Sequence, residues 1–251
     1  MQHYISRNFI TGEGMKAIIL AGGKGTRLKP YTTVFPKPLM PIGDQPILEV
    51  VILQLKSYGF DEVIMAVGHL AELILTFFND GSKYGIKIKY TREDKPLGTV
   101  GPLALVKDVL NETFLMMNGD VLTTLDYSDL VDYHKRNGAI ATIALKKRVV
   151  KIDFGVSEVD DANNIVGYTE KPAIEYLVSM GVYVFEPHVL GYIKSNEYLD
   201  FPDLIKMLIS CGETVKGYIY DGFWLDIGRP DDYERANREI DRIYSELFKV
   251  K

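Results

Sequence analysis

A run of apolar residues from Ala17 to Leu20 leads straight into Gly22-Gly23-Lys24-Gly25-Thr26-Arg27. An apolar run that ends in a glycine cluster reads as a buried strand opening onto a ligand-facing turn. Gly22, Gly23 and Gly25 remove the side chains that keep a backbone away from a ligand, and they permit positive φ. Backbone N–H groups in such a turn form a concavity that favours anions. Between Gly22 and Pro41 the chain carries Lys24, Arg27, Lys29 and Lys37 and no acid, although 29 Lys and Arg against 34 Asp and Glu give the whole chain a net charge of −5. One sign of charge beside a glycine turn points to bound phosphate. Glycines alone would suit an ordinary turn with a solvated basic face. Their combination with Arg27 and Lys37 favours the phosphate site. The spacing matches neither G-x-x-x-x-G-K-[ST] nor G-x-G-x-x-G.

Downstream, the periodicity predicts helices over 46–58, 70–78 and 101–110 and strands over 62–67, 86–91 and 114–117. That alternation implies a largely parallel sheet with helices on both faces. Ligands of such sheets bind outside the carboxyl ends of the strands, so the glycine turn and the Asn118-Gly119-Asp120 turn can share one rim. From Ala139 short strand-like runs follow at 139–145, 155–159, 165–169 and 178–185, which predicts an antiparallel-rich second half. Helices are expected over 201–209 and 230–248, the last with Asp231, Asp232 and Glu234 favouring the dipole at its start.

The length of 251 residues and the absence of a linker favour one domain over 15–251. Residues 1–14 read as an N-terminal extension or leader, without the apolar core of a secretory signal. The mild acidity gives no reason to expect nucleic-acid binding, and no apolar stretch approaches a membrane span. Cys211 is the single cysteine, so an internal disulfide is excluded; no Cys/His cluster has zinc spacing, and a cytoplasmic location is the simplest expectation. His3, His69, His134 and His188 are scattered, no G-x-S-x-G occurs, and all four read as surface or structural.

Leu20-Ala-Gly-Gly-Lys-Gly-Thr-Arg-Leu28, followed by Pro36-Lys37-Pro38, resembles the signature of the sugar-phosphate nucleotidyltransferases. The resemblance implies a Rossmann-like, three-layer α/β/α fold of the GT-A-like type, with a central mixed, mostly parallel sheet. It divides the chain into a nucleotide-binding half over about 15–138 and a sugar-phosphate-binding half over about 139–228. The implied reaction joins an NTP and a sugar 1-phosphate to give an NDP-sugar and pyrophosphate. Leu20, Ala21, Gly22, Gly23, Gly25, Thr26 and Arg27 would hold the nucleotide, and Pro96, Leu97, Gly98 and Thr99 would cup its base, although 96–98 alone reads as a turn. Asp120 alone is a turn aspartate. Asp226, in Trp224-Leu225-Asp226-Ile227-Gly228, alone is a capping or salt-bridged acid. The family's N-G-D and W-x-D-x-G motifs join them as ligands of Mg²⁺. Arg27, Lys37, Asp120 and Asp226 form the implied catalytic set. Lys37, Gly119, Gly155, Glu170, Lys171 and Ser179 would meet the sugar phosphate, although Glu170-Lys171 alone is an exposed pair worth little. Ser179-Met180-Gly181 departs from the Asn-Ala-Gly of many relatives, which implies altered sugar contacts.

The run from Pro96 to Leu105 is similar to that of mannose-1-phosphate guanylyltransferases, so GTP with mannose 1-phosphate or a related hexose or hexosamine phosphate is favoured. Thymidylyl-, cytidylyl- and uridylyltransferases are the alternatives within the class. A non-catalytic NDP-sugar-binding regulatory subunit is the alternative outside it. A homo-oligomer stays open.

Overall fold

The computed structural model describes residues 15–247; the expected leader over 1–14 and the end of the expected last helix lie outside the described residues. In chain order the strands and helices are β1 (Met15–Ala21), β2 (Pro41–Ile42), β3 (Gln45–Pro46), α1 (Ile47–Ser57), β4 (Phe60–Val67), α2 (Ala71–Phe78), β5 (Lys87–Arg92), β6 (Phe114–Asn118), β7 (Val121–Thr123) and α3 (Tyr127–Arg136). They continue with β8 (Ala141–Lys151), β9 (Val156–Val159), β10 (Ile165–Thr169), β11 (Ala173–Phe185), α4 (Phe201–Ser210), β12 (Val215–Ile219), β13 (Trp224–Asp226), α5 (Pro230–Arg238) and α6 (Ile240–Leu247).

Seven strands form the central sheet in the order β12-β8-β11-β6-β1-β4-β5. β1, β4, β5 and β6 run parallel to their neighbours in that group, as β12 does to β8; only β11 runs antiparallel, to both β6 and β8. Side chains alternate across the sheet. Ala17, Ile19, Val63, Met65, Leu115 and Met117 enter one apolar layer, while Ile18, Ile64, Phe114 and Met116 enter the other. Both faces of these strands are apolar because both are covered. Side chains of α1, α2, α3, α5 and α6 fill the first layer, and Leu204 and Leu208 of α4 the second. The three-layer, mostly parallel fold expected from the sequence is the fold observed.

The chain leaves β1 toward β4 and β5, then returns to lay β6 on the opposite side of β1. That reversal is the topological switch point at which open α/β sheets bind ligands. The Gly119 N–H donates to the Leu20 carbonyl (3.0 Å), tying the two loops together at that point.

Several elements differ from their expected form. Residues 101–110 make two short 3₁₀ turns, Gly101–Leu105 and Lys107–Val109, rather than an α-helix. Gly101 and Pro102 disfavour an extended helix, and the Val100 and Gly101 N–H groups are drawn to the Leu199 carbonyl (3.1 and 3.2 Å). The last helix is broken at Glu239, where φ −101° and ψ 13° separate α5 from α6. β8 and β11 extend well past the short runs read from the sequence. α3 and β12 were not expected at all. Asp126 starts α3 by accepting from the Ser128 and Asp129 N–H groups (3.0 and 3.2 Å).

Candidate active site

A cleft of about 750 Å³ opens at the switch point. Leu20, Ala21, Gly22, Gly23, Lys24, Gly25, Thr26 and Arg27 line one wall, with Lys37, Gly119 and Asp120 beside them. Gly25 sits at φ 59°, and a Cβ there would lie 2.8 Å from the Thr32 side chain, so the loop closes only on glycine. Its carbonyl also accepts the Thr32 hydroxyl (2.7 Å).

Asp120 and Asp226 come together through the small β7–β13 pair. Val121 lies opposite Asp226, and the Ile227 N–H donates to the Asp120 carbonyl (3.2 Å). Arg27 joins them: a Cβ on Gly228 would stand 3.6 Å from its guanidinium nitrogens. Lys37 bonds to Asp120 Oδ2. Burial first, then the charge of Asp120, push the Asp226 carboxyl above the usual carboxylate range, while Lys37 and Arg27 pull it back. All four residues of the expected catalytic set therefore occupy one neighbourhood.

Asp120 Oδ1 is buried without a hydrogen-bond partner. A buried, unpaired carboxylate oxygen is costly, and beside a second carboxylate it suits a divalent cation. Among the described residues no group of three or more His, Cys, Asp and Glu makes an all-protein metal cage. Mg²⁺ does not need one, since it commonly takes one or two carboxylates and completes its shell with substrate phosphates and water. The donor set fits Mg²⁺.

The 94–99 loop also borders the cleft, and it is firmly pinned. Leu97 N–H donates to Glu93 Oε2 (2.7 Å). Thr99 N–H and Oγ both reach Asp200 Oδ1 (3.0 and 3.3 Å), and the Phe201 N–H donates to Thr99 Oγ (2.6 Å). Pro96, Gly98 and Thr99 line the cleft, whereas Leu97 turns into the protein and is buried. Glu93, Asp94, Tyr198 and Asp200 also line it and carry no signal in the sequence reading. His69 lines it too, and its backbone N–H donates to the Gly22 carbonyl (3.2 Å). His134 is buried between Thr142 and Glu186, which fits its structural reading.

The expected sugar-phosphate residues divide. Ser179 donates to Tyr183 Oη (3.1 Å), and that phenol, raised first by burial, also feels the charges of Asp226 and Asp120. Lys37 and Gly119 line the cleft, whereas Ser179, Gly155, Glu170 and Lys171 do not. Gly155 approaches Tyr168, whose hydroxyl donates to Glu170 Oε2 (3.2 Å), so these three form an exposed group at the β9–β10 hairpin. Lys171 follows at φ 45°, where the chain enters the exposed end of β11. Paired β8 and β11 project beyond the sheet and hold this group outward.

A family model described as Nucleotidyl transferase matches residues 16–242. The chain belongs to the nucleotidyl transferase family. It is 38% identical over 245 residues to a UTP–glucose-1-phosphate uridylyltransferase of Synechocystis, covering 90% of this chain and 63% of that protein. To mannose-1-phosphate guanylyltransferase 1 of Arabidopsis thaliana it is 37% identical over 232 residues, covering 87% and 63%. It thus spans less than two thirds of the length of these curated relatives. The crystal structure of HddC from Yersinia pseudotuberculosis shares its fold, with a TM-score of 0.72 at 23% identity over 90% of this chain and 99% of that one. Among the described residues of this nucleotidyl transferase domain, no helix is long and apolar enough to cross a membrane.

Proposed function

We propose that this chain transfers a nucleotidyl group from an NTP to a sugar 1-phosphate, forming an NDP-sugar and releasing pyrophosphate. The observation that carries the reading is the meeting of Arg27, Lys37 and Asp120 on the wall of the glycine-walled cleft, with Asp226 within electrostatic reach of all three. In this reading the backbone of Gly22–Gly25 and the guanidinium of Arg27 hold the triphosphate, and the 96–99 loop cups the base. An oxygen of the sugar phosphate attacks the α-phosphorus, the bond to the β-phosphate oxygen breaks, and pyrophosphate leaves. The attacking phosphate is already largely ionised near neutral pH, because its second pKa is about 6. No general base is required. Positioning and charge stabilisation carry such transfers. Lys37 swings from Asp120 to the attacking phosphate, relieving the repulsion between two anions. Asp120 and Asp226 would hold Mg²⁺, which when bound would supply Lewis-acid stabilisation of phosphate charge. Ser179 and Tyr183 border the sugar. Gly155, Glu170 and Lys171 reach it through closure of the β9–β10 hairpin.

GTP with mannose 1-phosphate is the favoured pair, supported by the 96–105 run and by guanylyltransferase relatives. The uridylyltransferase relative favours UTP with glucose 1-phosphate as the second reading. A pyrophosphate-release matrix of GTP, UTP, dTTP, CTP and ATP against mannose, glucose, glucosamine and heptose 1-phosphates separates them. Tight NDP-sugar binding without release in any combination would instead identify a regulatory subunit and overturn the proposal.

A further inference from the structure

The stretch 197–201 is laid along 97–101. The Leu199 N–H donates to the Leu97 carbonyl (2.9 Å), and the Leu199 carbonyl accepts from the Val100 and Gly101 N–H groups (3.1 and 3.2 Å). The fit is close, since a Cβ on Gly101 would lie 2.9 Å from the Glu197 carbonyl oxygen. Side chains alternate along extended backbone. Leu199 and Phe201 pack against the second apolar layer, which leaves Tyr198 and Asp200 on the side that lines the cleft.

Asp200 stands at the start of α4, yet its side chain makes no capping bond to that helix. Acids at such a position usually serve the helix's own N–H groups. This carboxylate accepts instead from Thr99 and Tyr198. Thr99 N–H and hydroxyl meet Oδ1 (3.0 and 3.3 Å), and the Tyr198 hydroxyl meets Oδ2 (2.5 Å). The Thr99 oxygen in turn accepts the Phe201 N–H (2.6 Å). The bond to Asp200 raises the Tyr198 phenol above its ordinary pKa, so it stays a protonated donor at neutral pH. One carboxylate thus fastens the ring to the loop that borders the cleft.

The ring itself is 62% exposed. Burial in the core therefore does not account for its being tied in place. A tyrosine with its polar tip satisfied and its apolar body open is suited to a planar ligand. The charge of Asp200 beside it repels phosphate, whereas an uncharged base meets no such penalty. Every nucleobase has a π-face, so a ring of this kind serves purines and pyrimidines alike. Resting on the proposed function, in which an NTP occupies this cleft, we propose that Tyr198 is the platform on which the nucleobase stacks and that Asp200 is its positioning residue. A ring held ready before the nucleotide arrives lowers the ordering cost of binding.

Calorimetric titration of GTP, UTP and inorganic triphosphate into the whole chain tests the platform. Tyr198→Leu is expected to weaken nucleotide binding by about 5- to 150-fold, the effect of one lost base stack, and to leave inorganic triphosphate binding unchanged. Tyr198→Phe keeps the ring and loses the tether, so a smaller loss is expected. Asp200→Asn is expected to match Tyr198→Phe, and the two together to be no weaker than either alone. Unchanged nucleotide binding in Tyr198→Leu overturns the platform, as does an equal loss for inorganic triphosphate or a Tyr198→Phe as weak as Tyr198→Leu. Losses that add in the double variant overturn the role of Asp200. Binding is read without turnover, so the two proposals fail separately. Pyrophosphate release with no base-dependent loss removes the platform alone, and a base-dependent loss without release removes the transferase alone. A wild type that binds neither nucleotide overturns both.

Discussion

Asp226 carries a conflict between stability and use. Its raised carboxyl pKa means the folded chain holds that proton more tightly than the unfolded chain does. The associated stability is complete below the ordinary carboxylate value and is lost as pH rises through the raised one. At neutral pH the charged Asp226 therefore opposes folding whenever no cation is bound. Asp226→Asn is expected to raise the melting temperature in chelator while cutting turnover by at least about 10²–10³, the typical effect of losing one charge stabiliser. A lower melting temperature would contradict the electrostatics. Arg27 faces the cleft and is exposed. Arg27→Ala is expected to lose a similar factor, about 10²–10³, with the thermal melt unchanged. Normal pyrophosphate release by that variant would remove Arg27 from the site.

The 94–100 loop shows at element scale how a binding wall is kept rigid. Gly98 sits at φ 81°, and a Cβ there would lie 2.5 Å from the Leu199 carbonyl oxygen. Gly98→Ala is expected to destabilise the fold by about 1–3 kcal/mol in denaturant titration and to raise KM for the nucleotide more than for the sugar phosphate. Equal changes in both constants would argue against a base-side role. At the other end of the sheet, His134 of α3 bonds Thr142 of β8 and Glu186 just past β11 (2.8 and 3.1 Å). Burial lowers its pKa despite the pull of Glu186, so the stability it contributes is present above the ordinary histidine value and lost as pH falls through the lowered one. Melting temperatures are expected to drop on acidification below that range, with a shallower drop in His134→Gln. An equal slope in the variant would place the acid sensitivity elsewhere. Elements with strong apolar periodicity, β1, α1, β4, α2 and β6, were legible from the sequence because burial on covered faces enforces the pattern. The 101–110 stretch was misread because its backbone bonds to Leu199, a partner that local spacing does not reveal. β12 went unread because Gly217 interrupts its run. Asp200 carries no signal in the sequence, and only the tertiary fold brings its carboxylate to Thr99.

At the scale of the whole molecule, the pairing of β7 with β13 brings acids about a hundred residues apart into one neighbourhood. Spacing could not predict that meeting; the N-G-D and W-x-D-x-G motifs did so through resemblance, and the β7–β13 pair supplies the physical link. The outward placement of Glu170 and Lys171 was not legible, since it depends on how far β8 and β11 run beyond the sheet. The most direct test of the shared site is Mn²⁺ binding, followed by electron paramagnetic resonance in the presence of nucleotide. Wild type is expected to bind one ion per chain with nucleotide, and Asp120→Asn and Asp226→Asn are each expected to lose it while remaining folded. Wild-type binding in either variant would contradict a single site built from both carboxylates.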